Sequence, residues 1–210
     1  MSYLLERPHM SIKQTTAPSA EPVTTTQAKT HMRVDTSDDD TYIDTLVSAA
    51  RSFCENFTGR QFVTATWTWK MDRFPSRLDA SHPWRKQEMT VPRPPLASVS
   101  SITYVDVDGA AQTWSSSLYD VDSNGDPGRI VPTYGEDFPG VRVQNDAVTV
   151  VYTAGYGGAS DVPQEIKQAI LLLAAHWYEN REASIVGVSA STIPLAVDSI
   201  LWNYRLQEVW

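Results

Sequence analysis

Apolar residues divide the chain into helix-forming ends and an alternating middle. The longest apolar segment, 163–182 (PQEIKQAILLLAAHWYENRE), carries apolar residues at helical spacing on one side, and Leu171 and Leu172 widen this face. Pro163 suits the first turn of a helix, because its missing N–H is not needed there. We therefore predict a long buried helix over 163–182, which other elements must cover on two sides.

Three further helices are predicted around this segment. Residues 24–34 predict a short capped helix, and 38–58 predict an amphipathic one because apolar residues recur at helical spacing until Gly59. Ser37 is the predicted N-cap of that second helix. Residues 195–205 (LAVDSILWNYR) predict the last helix. The apolar helical faces need one another, so we expect the helices to share a core.

Between the second helix and the long helix, hydrophobicity alternates with the period of a β-strand, starting near Phe62. Clusters of glycine, proline, asparagine and aspartate separate the alternating runs, which predicts short strands joined by tight turns. This pattern is typical of a small antiparallel sandwich or barrel. The remaining strands are predicted at 89–91, 99–105, 112–114, 119–121, 129–131 and 147–153.

The order of these elements predicts an α+β fold, in which a helical bundle carries an inserted small antiparallel β module. The first residues are rich in Thr, Ser, Pro and Ala without apolar periodicity, which predicts an extended arm. Within this arm, Tyr3, Leu4 and Leu5 are expected to contact a neighbour. We assign residues 1–24 to the arm, 25–59 and 160–205 to the bundle, 60–159 to the β module and 206–210 to a C-terminal tail.

The composition is that of a globular protein with an acidic surface. Of the 210 residues 41% are hydrophobic, which is enough for a sizeable core, and the net charge is -8. No stripe of Lys or Arg is present, which argues against broad binding to nucleic-acid phosphates. No apolar run reaches about 18 residues and the first residues lack the order of a secretion signal, so we expect no membrane span and cytosolic synthesis. The single Cys54 is predicted to be a buried core residue rather than a reactive thiol.

One acidic segment could form the opening of a calcium loop. Asp120, Asp122 and Asn124 place oxygen ligands at alternate positions, and Gly125 stands where such a loop turns sharply. However, the twelfth position is Val131 rather than a bidentate Glu, and the flanking residues predict strands instead of helices. We therefore favour a hairpin turn, while a cation at Asp120, Asp122 and Asn124 remains the alternative.

A second segment, 155–158 (GYGG), lies between a predicted strand and the long helix, where glycines can cradle a phosphate. It lacks the Lys-Ser/Thr end of a P-loop, and Asp161 and Glu165 would repel an anion. We favour a plain strand-to-helix turn. The four histidines show no pair at metal-ligand spacing and no Ser lies in a GxSxG motif, so no catalytic residue, cofactor or metal is predicted.

Seven segments in a fixed order form the most specific pattern in the sequence. They are 26–34 (TQAKTHMRV), 58–60 (TGR), 92–96 (PRPPL), 99–105 (VSSITYV), 152–157 (YTAGYG), 162–181 (VPQEIKQAILLLAAHWYENR) and 193–198 (IPLAVD). Together they closely resemble the head-tail connector proteins of tailed bacteriophages, also called adaptor or head completion proteins. Prophages carry relatives described as DNA-packaging proteins, and gene transfer agents carry similar adaptors. The resemblance extends from about residue 22 to 205.

The resemblance implies a structural protein of the virion, located at the head-tail interface and synthesised in the host cytoplasm. Copies of such a protein form a ring, usually twelve-fold, beneath the portal protein. The ring extends the DNA channel and receives the stopper, head-closure or tail proteins. Double-stranded DNA would pass through without specific binding, which agrees with the acidic composition. The family has no catalytic residues, cofactor or metal to carry over to this chain.

The C-terminal helix and tail are predicted to dock on the portal. The residues expected to lead this contact are Trp202, Tyr204, Val209 and Trp210, because aromatic residues are favoured where protein surfaces meet. The alternative for Trp202 and Tyr204 is packing within their own chain.

Two other classes of function were weighed against the structural adaptor. A carbohydrate- or metal-dependent enzyme would use Asp120, Asp122 and Asp126 as an acidic centre in a deep pocket. A DNA-binding packaging factor would need a salt-sensitive affinity for DNA, and the acidic composition counts against it.

Overall fold

A computed structural model describes residues 10–75, 88–181 and 194–206 of the chain. Over these ranges the protein has a mixed α/β fold with four helices and two antiparallel sheets, as the alternation of helical and strand periodicity predicted. The chain divides into two compact units. One consists of Met1–Ala17 with Thr64–Gly155, and the other of Pro18–Val63 with Tyr156–Trp210.

The helices lie where the apolar periodicity predicted them. They are α1 (Thr25–Met32), α2 (Asp40–Thr58), α3 (Gln164–Glu179) and α4 (Leu195–Trp202). Helix α1 begins with a capping box, in which the Thr24 side chain accepts from the Gln27 N–H and the Gln27 side chain accepts from the Thr24 N–H. Helix α2 is capped at its C-terminus by Gly59, whose backbone has a φ of 73°. This left-handed conformation favours glycine, because glycine has no Cβ.

The predicted N-cap of α2 is wrong. The helix begins at Asp40, and its N-cap residue is Asp39 rather than Ser37. The Asp39 side chain does not cap the helix either, because its carboxylate accepts hydrogen bonds from Tyr178 and Arg181. Residues far along the chain therefore decide how this helix begins.

The four helices share one apolar core. Helix α3 contacts α1, α2 and α4. These contacts agree with its wide apolar face, which predicted that other elements pack on more than one side of the helix. The buried side chains at the centre include Ile43, Val47, Ala50, Cys54, Ile166, Ile170, Leu173, Val197 and Leu201. In the described ranges, no helix is long and apolar enough to cross a membrane.

Within its described residues, the unit formed by Met1–Ala17 and Thr64–Gly155 contains eight strands in two sheets. The larger sheet has the order β1-β2-β8-β4-β5 and the smaller has the order β3-β7-β6, with every pair antiparallel. The strands are β1 (Met10–Thr16), β2 (Ala65–Met71), β3 (Met89–Thr90), β4 (Leu96–Val105), β5 (Ala111–Thr113), β6 (Tyr119–Asp122), β7 (Arg129–Pro132) and β8 (Val148–Ala154).

Strand β2 shows how the alternation positions the larger sheet. Trp67, Trp69 and Met71 are buried on one face, while Thr66 and Lys70 lie half-buried on the other. Because directly paired residues share a face, the neighbouring strand β8 shows the same division.

The sequence interpretation missed β1, whose residues were assigned to the extended arm 1–24. The strand pairs with β2 in the register Met10↔Met71 and Ile12↔Trp69. Six of its seven residues are exposed, so the strand has no buried side to produce an alternating pattern. The arm residues Tyr3, Leu4 and Leu5 lie outside the described residues.

Candidate functional site

A row of four aromatic rings lies on the surface of the helical unit. We call the side chains of Trp177, Phe53, Phe57 and Trp202 the aromatic row. The Phe53 ring packs edge to face against Trp177, with 6.2 Å between the ring centres, and stacks on Phe57, with 6.3 Å between centres. The Phe57 ring in turn packs edge to face against Trp202, with 6.0 Å between centres. Such pairs add stability beyond the area that they bury.

The helices place these rings side by side. Phe53 and Phe57 are four residues apart on α2 and therefore share one face of that helix. Trp177 comes from α3 and Trp202 is the last residue of α4. Because the four rings come from three different helices, the aromatic row depends on how the helices pack rather than on any single segment.

Trp202 is the most accessible ring of the aromatic row, with 54% of its surface exposed. Its indole N–H donates to the Asp198 carboxylate at 3.1 Å, which fixes the orientation of the ring. The Arg205 guanidinium lies 4.6 Å from the centre of this ring and 5.5 Å from that of Phe57. Trp and Arg are among the residue types most enriched at the hot spots of protein interfaces.

Hydrogen bonds fasten the chain that follows α4 to the end of α2. The buried Arg60 donates from Nε to the Tyr204 carbonyl, and the Leu206 N–H donates to the Thr58 carbonyl at 3.0 Å. The Tyr204 hydroxyl donates to Glu165 at 3.1 Å. Burial, together with this carboxylate, raises the pKa of the Tyr204 hydroxyl. The segment leading to the C-terminal tail therefore starts from a fixed position.

These contacts separate the residues that were predicted to dock on a partner. Trp202 exposes about half of its surface to solvent. Tyr204 is half-buried and hydrogen-bonded within its own chain, which agrees with the alternative prediction that it packs intramolecularly. Val209 and Trp210 lie outside the described residues. Sequence reasoning had assigned Phe53, Phe57 and Trp177 to buried apolar faces. All three are half-buried, and no signal in the sequence distinguishes them from the buried residues of the same faces.

A second cluster joins the start of α2 to the end of α3. Asp39 accepts from the Tyr178 hydroxyl at 2.6 Å and from Arg181 at 2.9 Å. The Tyr178 hydrogen bond and then Arg181 hold the pKa of the Asp39 carboxyl below its usual value. Arg181 also lies over the rings of Tyr42, at 4.7 Å, and Tyr178, at 5.0 Å. We call these four side chains the Asp39 cluster.

A buried carboxylate organises the other end of α2. Glu55 accepts from Arg51 at 2.6 Å, from the Gln61 amide at 2.7 Å and from the Phe62 N–H at 3.0 Å. Arg51 also donates to Glu21 at 2.6 Å. Since Glu55 is a buried charge with three donors, its role is structural.

The segment proposed as a calcium loop is a β-hairpin turn. Strands β6 and β7 pair in the register Asp122↔Arg129, which confirms the favoured interpretation. Asp122 accepts from the N–H groups of Asn124 and Gly125 and from Arg129 at 3.0 Å. Arg129, followed by these N–H groups, lowers the pKa of the Asp122 carboxyl.

The acidic centre of the enzyme alternative does not come together. Asp120 and Asp126 are exposed, and the Asp122 carboxylate is engaged by its own turn. Within the part of the chain that the structure describes, no three His, Cys, Asp or Glu side chains are grouped to hold a metal ion.

The glycine segment 155–158 is a turn in which the Asp161 carboxylate takes the place of a bound anion. The Gly158 N–H donates to the Asp161 carboxylate at 2.7 Å, which occupies the donor that a phosphate would need. Gly157 has a φ of 136°, and a Cβ placed on it would collide with the same carboxylate. Cys54 is buried, and burial raises the pKa of its thiol to about 12, as expected of a core residue.

Chains with the same fold occur in solved particles of gene transfer agents. A chain in the neck of an empty particle, computed with C6 symmetry, is 21% identical, with a TM-score of 0.74 and coverage of 95% of this chain and 97% of that chain. A chain in the virion of a native gene transfer agent particle has 21% identity, the same coverage and a TM-score of 0.72. A chain in the neck of a native particle, computed with C12 symmetry, has 22% identity, again with this coverage, and a TM-score of 0.67.

A comparison with curated protein sequences gave no match. The family model described as head completion protein matches residues 22–206, which is most of the chain. The matched segment spans α1 to α4 and seven of the eight strands, leaving out only β1. It also agrees with the range over which the sequence motifs resembled head-tail connectors. The chain therefore belongs to the head completion protein family.

Proposed function

We propose that the protein is a structural head-tail connector of a tailed phage or a related particle. Copies assemble as a ring, twelve-fold in this proposal, beneath the portal protein. The ring extends the DNA channel and presents a docking surface to stopper, head-closure or tail proteins. In this proposal the helices act as a bundle that carries the β module as an insertion, and the residues before β1 and after Leu206 contact partners.

The observation that carries the proposal is the aromatic row next to the anchored C-terminal segment. Trp202 is exposed, yet its ring is held by Asp198, Phe57 and Arg205, so little side-chain entropy would be lost when a partner covers it. The chain fixed at Leu206 would deliver the tail, with Val209 and Trp210, to the same partner. We assign this surface to the portal.

The ring is supported by the fold and by the symmetry of the particles that contain similar chains. Those neck structures were computed with C6 and C12 symmetry. A ring of identical subunits uses a heterologous interface, in which two different surfaces of each copy meet. The location at the head-tail interface of the virion rests on the same comparison.

The charge of the chain suits a channel through which DNA must move. The net charge is -8, so a channel wall built from this chain would not hold phosphates strongly. We therefore propose that DNA passes without specific binding and that the protein works without catalysis, cofactor or metal.

The test is binding of the purified chain to portal rings, measured by sedimentation and viewed by electron microscopy. Trp202→Ala should weaken binding about 30-fold, because an interface hot spot contributes about 2 kcal/mol or more. Tyr134→Ala is the matched control, since Tyr134 is a fully exposed aromatic residue in the other unit. A chain ending at Leu206 tests the contribution of Val209 and Trp210.

Each result decides a different part of the proposal. A Trp202 variant that binds the portal as well as the Tyr134 variant would overturn the assignment of the aromatic row. If the unmodified chain neither joins portal rings nor appears at the head-tail interface of particles, the connector function itself is wrong.

A further inference from the structure

In the part of the chain that is described, no further strand pairs with the outer edge of β1 from Met10 to Lys13 or with the outer edge of β5. Strand β1 is bonded on one side only, to β2, and β5 is bonded on one side only, to β4. An edge strand presents unpaired N–H and C=O groups that can pair with another strand. All three residues of β5 and six of the seven residues of β1 are exposed.

Strand β1 is unusual because its apolar side chains have little cover. Met10 and Ile12 are 43% and 40% exposed. They lie on the sheet face that carries Trp69 and Met71, since directly paired residues share a face. A strand added outside β1 would bury both side chains and satisfy the open backbone groups at once.

The two edges differ in charge. Lys13 is the only charged residue of β1, whereas the turn that leads into β5 contains Asp106 and Asp108. The Asp106 carboxylate is fixed by the Gln112 side chain at 2.8 Å and by the Ala110 N–H at 2.8 Å. Two β1 edges would bring Lys13 against Lys13, while a β1 edge and a β5 edge attract each other.

The direction of the strands is compatible with a closed ring. Each of the five strands is antiparallel to its neighbours, so the first and the last strand of the sheet run in the same direction. Copies related by rotation about an axis along the strands keep that direction. The edge of β1 in one copy would therefore lie parallel to the edge of β5 in the next.

We propose that the outer edge of β1 pairs in parallel with the outer edge of β5 of the next copy of this chain, so that the larger sheet continues from subunit to subunit. The inference rests on the proposed ring and names the surfaces that close it. The interface is heterologous, since β1 and β5 are different surfaces of one subunit, as a ring requires. The bulge between Gln14 and Thr16 limits the regular part of β1 to its first five residues.

The direct test is a disulfide between the two edges. Ser11 and Ala111 lie on the same face of the sheet, are small and exposed, and take cysteine without loss of core packing. Neighbouring strands lie about 4.8 Å apart, which is within the reach of a disulfide. Ser11→Cys with Ala111→Cys should give a ladder of multimers on oxidation of the full chain. The pair Ser11→Cys with Ser52→Cys, which has an exposed α2 residue instead, is the control for random collision.

A second test alters the edge by charge. Ile12→Lys puts a charge where the added strand would bury the Ile12 side chain, which opposes strand addition because a buried, unpaired charge is costly, and it should weaken self-association about tenfold or more in sedimentation velocity. Val121→Lys is the matched control, because Val121 is a β-branched strand residue that is 38% exposed in the other sheet. Circular dichroism confirms that both variants remain folded.

The proposal predicts a ladder from the Ser11/Ala111 pair and weaker association for Ile12→Lys only. Cross-linked dimers from Ser11→Cys alone would show that β1 pairs with β1, which overturns it. Absence of a ladder, or equal association of the two lysine variants, also overturns it. If rings still form with Ile12→Lys, the connector function stands without this interface. If the unmodified chain joins no ring and no portal, the connector function fails instead.

Discussion

The Leu206 N–H donates a 3.0 Å hydrogen bond to the carbonyl oxygen of Thr58, the last residue of α2. Carbonyl groups at a helix end lack partners within the helix, so this bond satisfies one of them. The Leu206 side chain also passes over Gly59, close enough that a Cβ there would lie 3.3 Å from its Cδ1 atom. The chain beyond α4 is thus part of the helical unit up to residue 206.

Arg60→Ala should release this segment. The variant loses the bond from Arg60 Nε to the Tyr204 carbonyl, and we expect the free energy of unfolding to fall by about 1–3 kcal/mol. Hydrogen exchange at the Leu206 N–H should become faster. Arg205→Ala is the control, because Arg205 is exposed and contacts only rings in the described structure. Unchanged exchange at Leu206 in the Arg60 variant would contradict the prediction.

Asp39→Asn should change the dependence of stability on pH. The folded state lowers the pKa of Asp39, so the stabilisation is present above the ordinary carboxyl pKa and is lost as the pH falls through the lowered value. The variant should therefore melt at a lower temperature than the wild type at pH 7, and the difference should shrink in acid. Thermal melts between pH 7 and pH 3 measure this, with the neighbouring exposed Asp38→Asn as control. A difference that stays constant with pH would refute it.

Glu55→Gln should be among the most destabilising single changes in the helical unit. It removes the charge that faces Arg51 and leaves that guanidinium with Glu21 only, which we expect to cost about 3 kcal/mol. Urea unfolding followed by circular dichroism measures the loss. Glu179→Gln, at an exposed position of α3, should change stability by less than about 0.5 kcal/mol. Equal midpoints for the two variants would exclude a structural role for the Glu55 carboxylate.

Gly157→Ala and Gly135→Ala form a matched pair at positive φ. Both glycines adopt backbone angles that L side chains rarely adopt, with φ of 136° and 89°. A Cβ at Gly135 meets nothing within 4 Å, whereas one at Gly157 would collide with the Asp161 carboxylate. We expect Gly135→Ala to cost about 1–3 kcal/mol and Gly157→Ala to cost more. Thermal unfolding of both variants decides this, and a smaller effect at Gly157 would contradict the described turn.

The regular elements could be predicted because burial leaves a period in the sequence. Helix α2 combines a row of apolar residues with Gly59 at its end, and β2 alternates tryptophan with threonine. Both signals are local. Strand β1 has no such signal, since its exposed side chains carry no alternation and its pairing depends on β2, which lies far along the chain.

The candidate site could be predicted only in part, because its geometry depends on distant residues. Trp202 is predicted as a contact residue because aromatic residues are favoured where protein surfaces meet, whereas the other rings of the aromatic row belong to the apolar faces of the predicted helices 38–58 and 163–182. Phe57 lies on the same periodic face as the buried Cys54, yet its ring is half-buried and contacts Trp202 of α4, a residue far along the chain. Likewise, no local pattern indicates that Asp39 bonds to Tyr178, which lies 139 residues further along the chain.

The polypeptide passes between the two units three times, after Ala17, Val63 and Gly155. Strand β1, which precedes α1, therefore completes a sheet whose other strands all follow residue 64. Recombination that exchanges only 64–155 between related particles would leave the recipient's own β1 to pair with a foreign β2. Selection on such hybrids would keep β1 and β2 of one lineage together, although about fifty codons separate them.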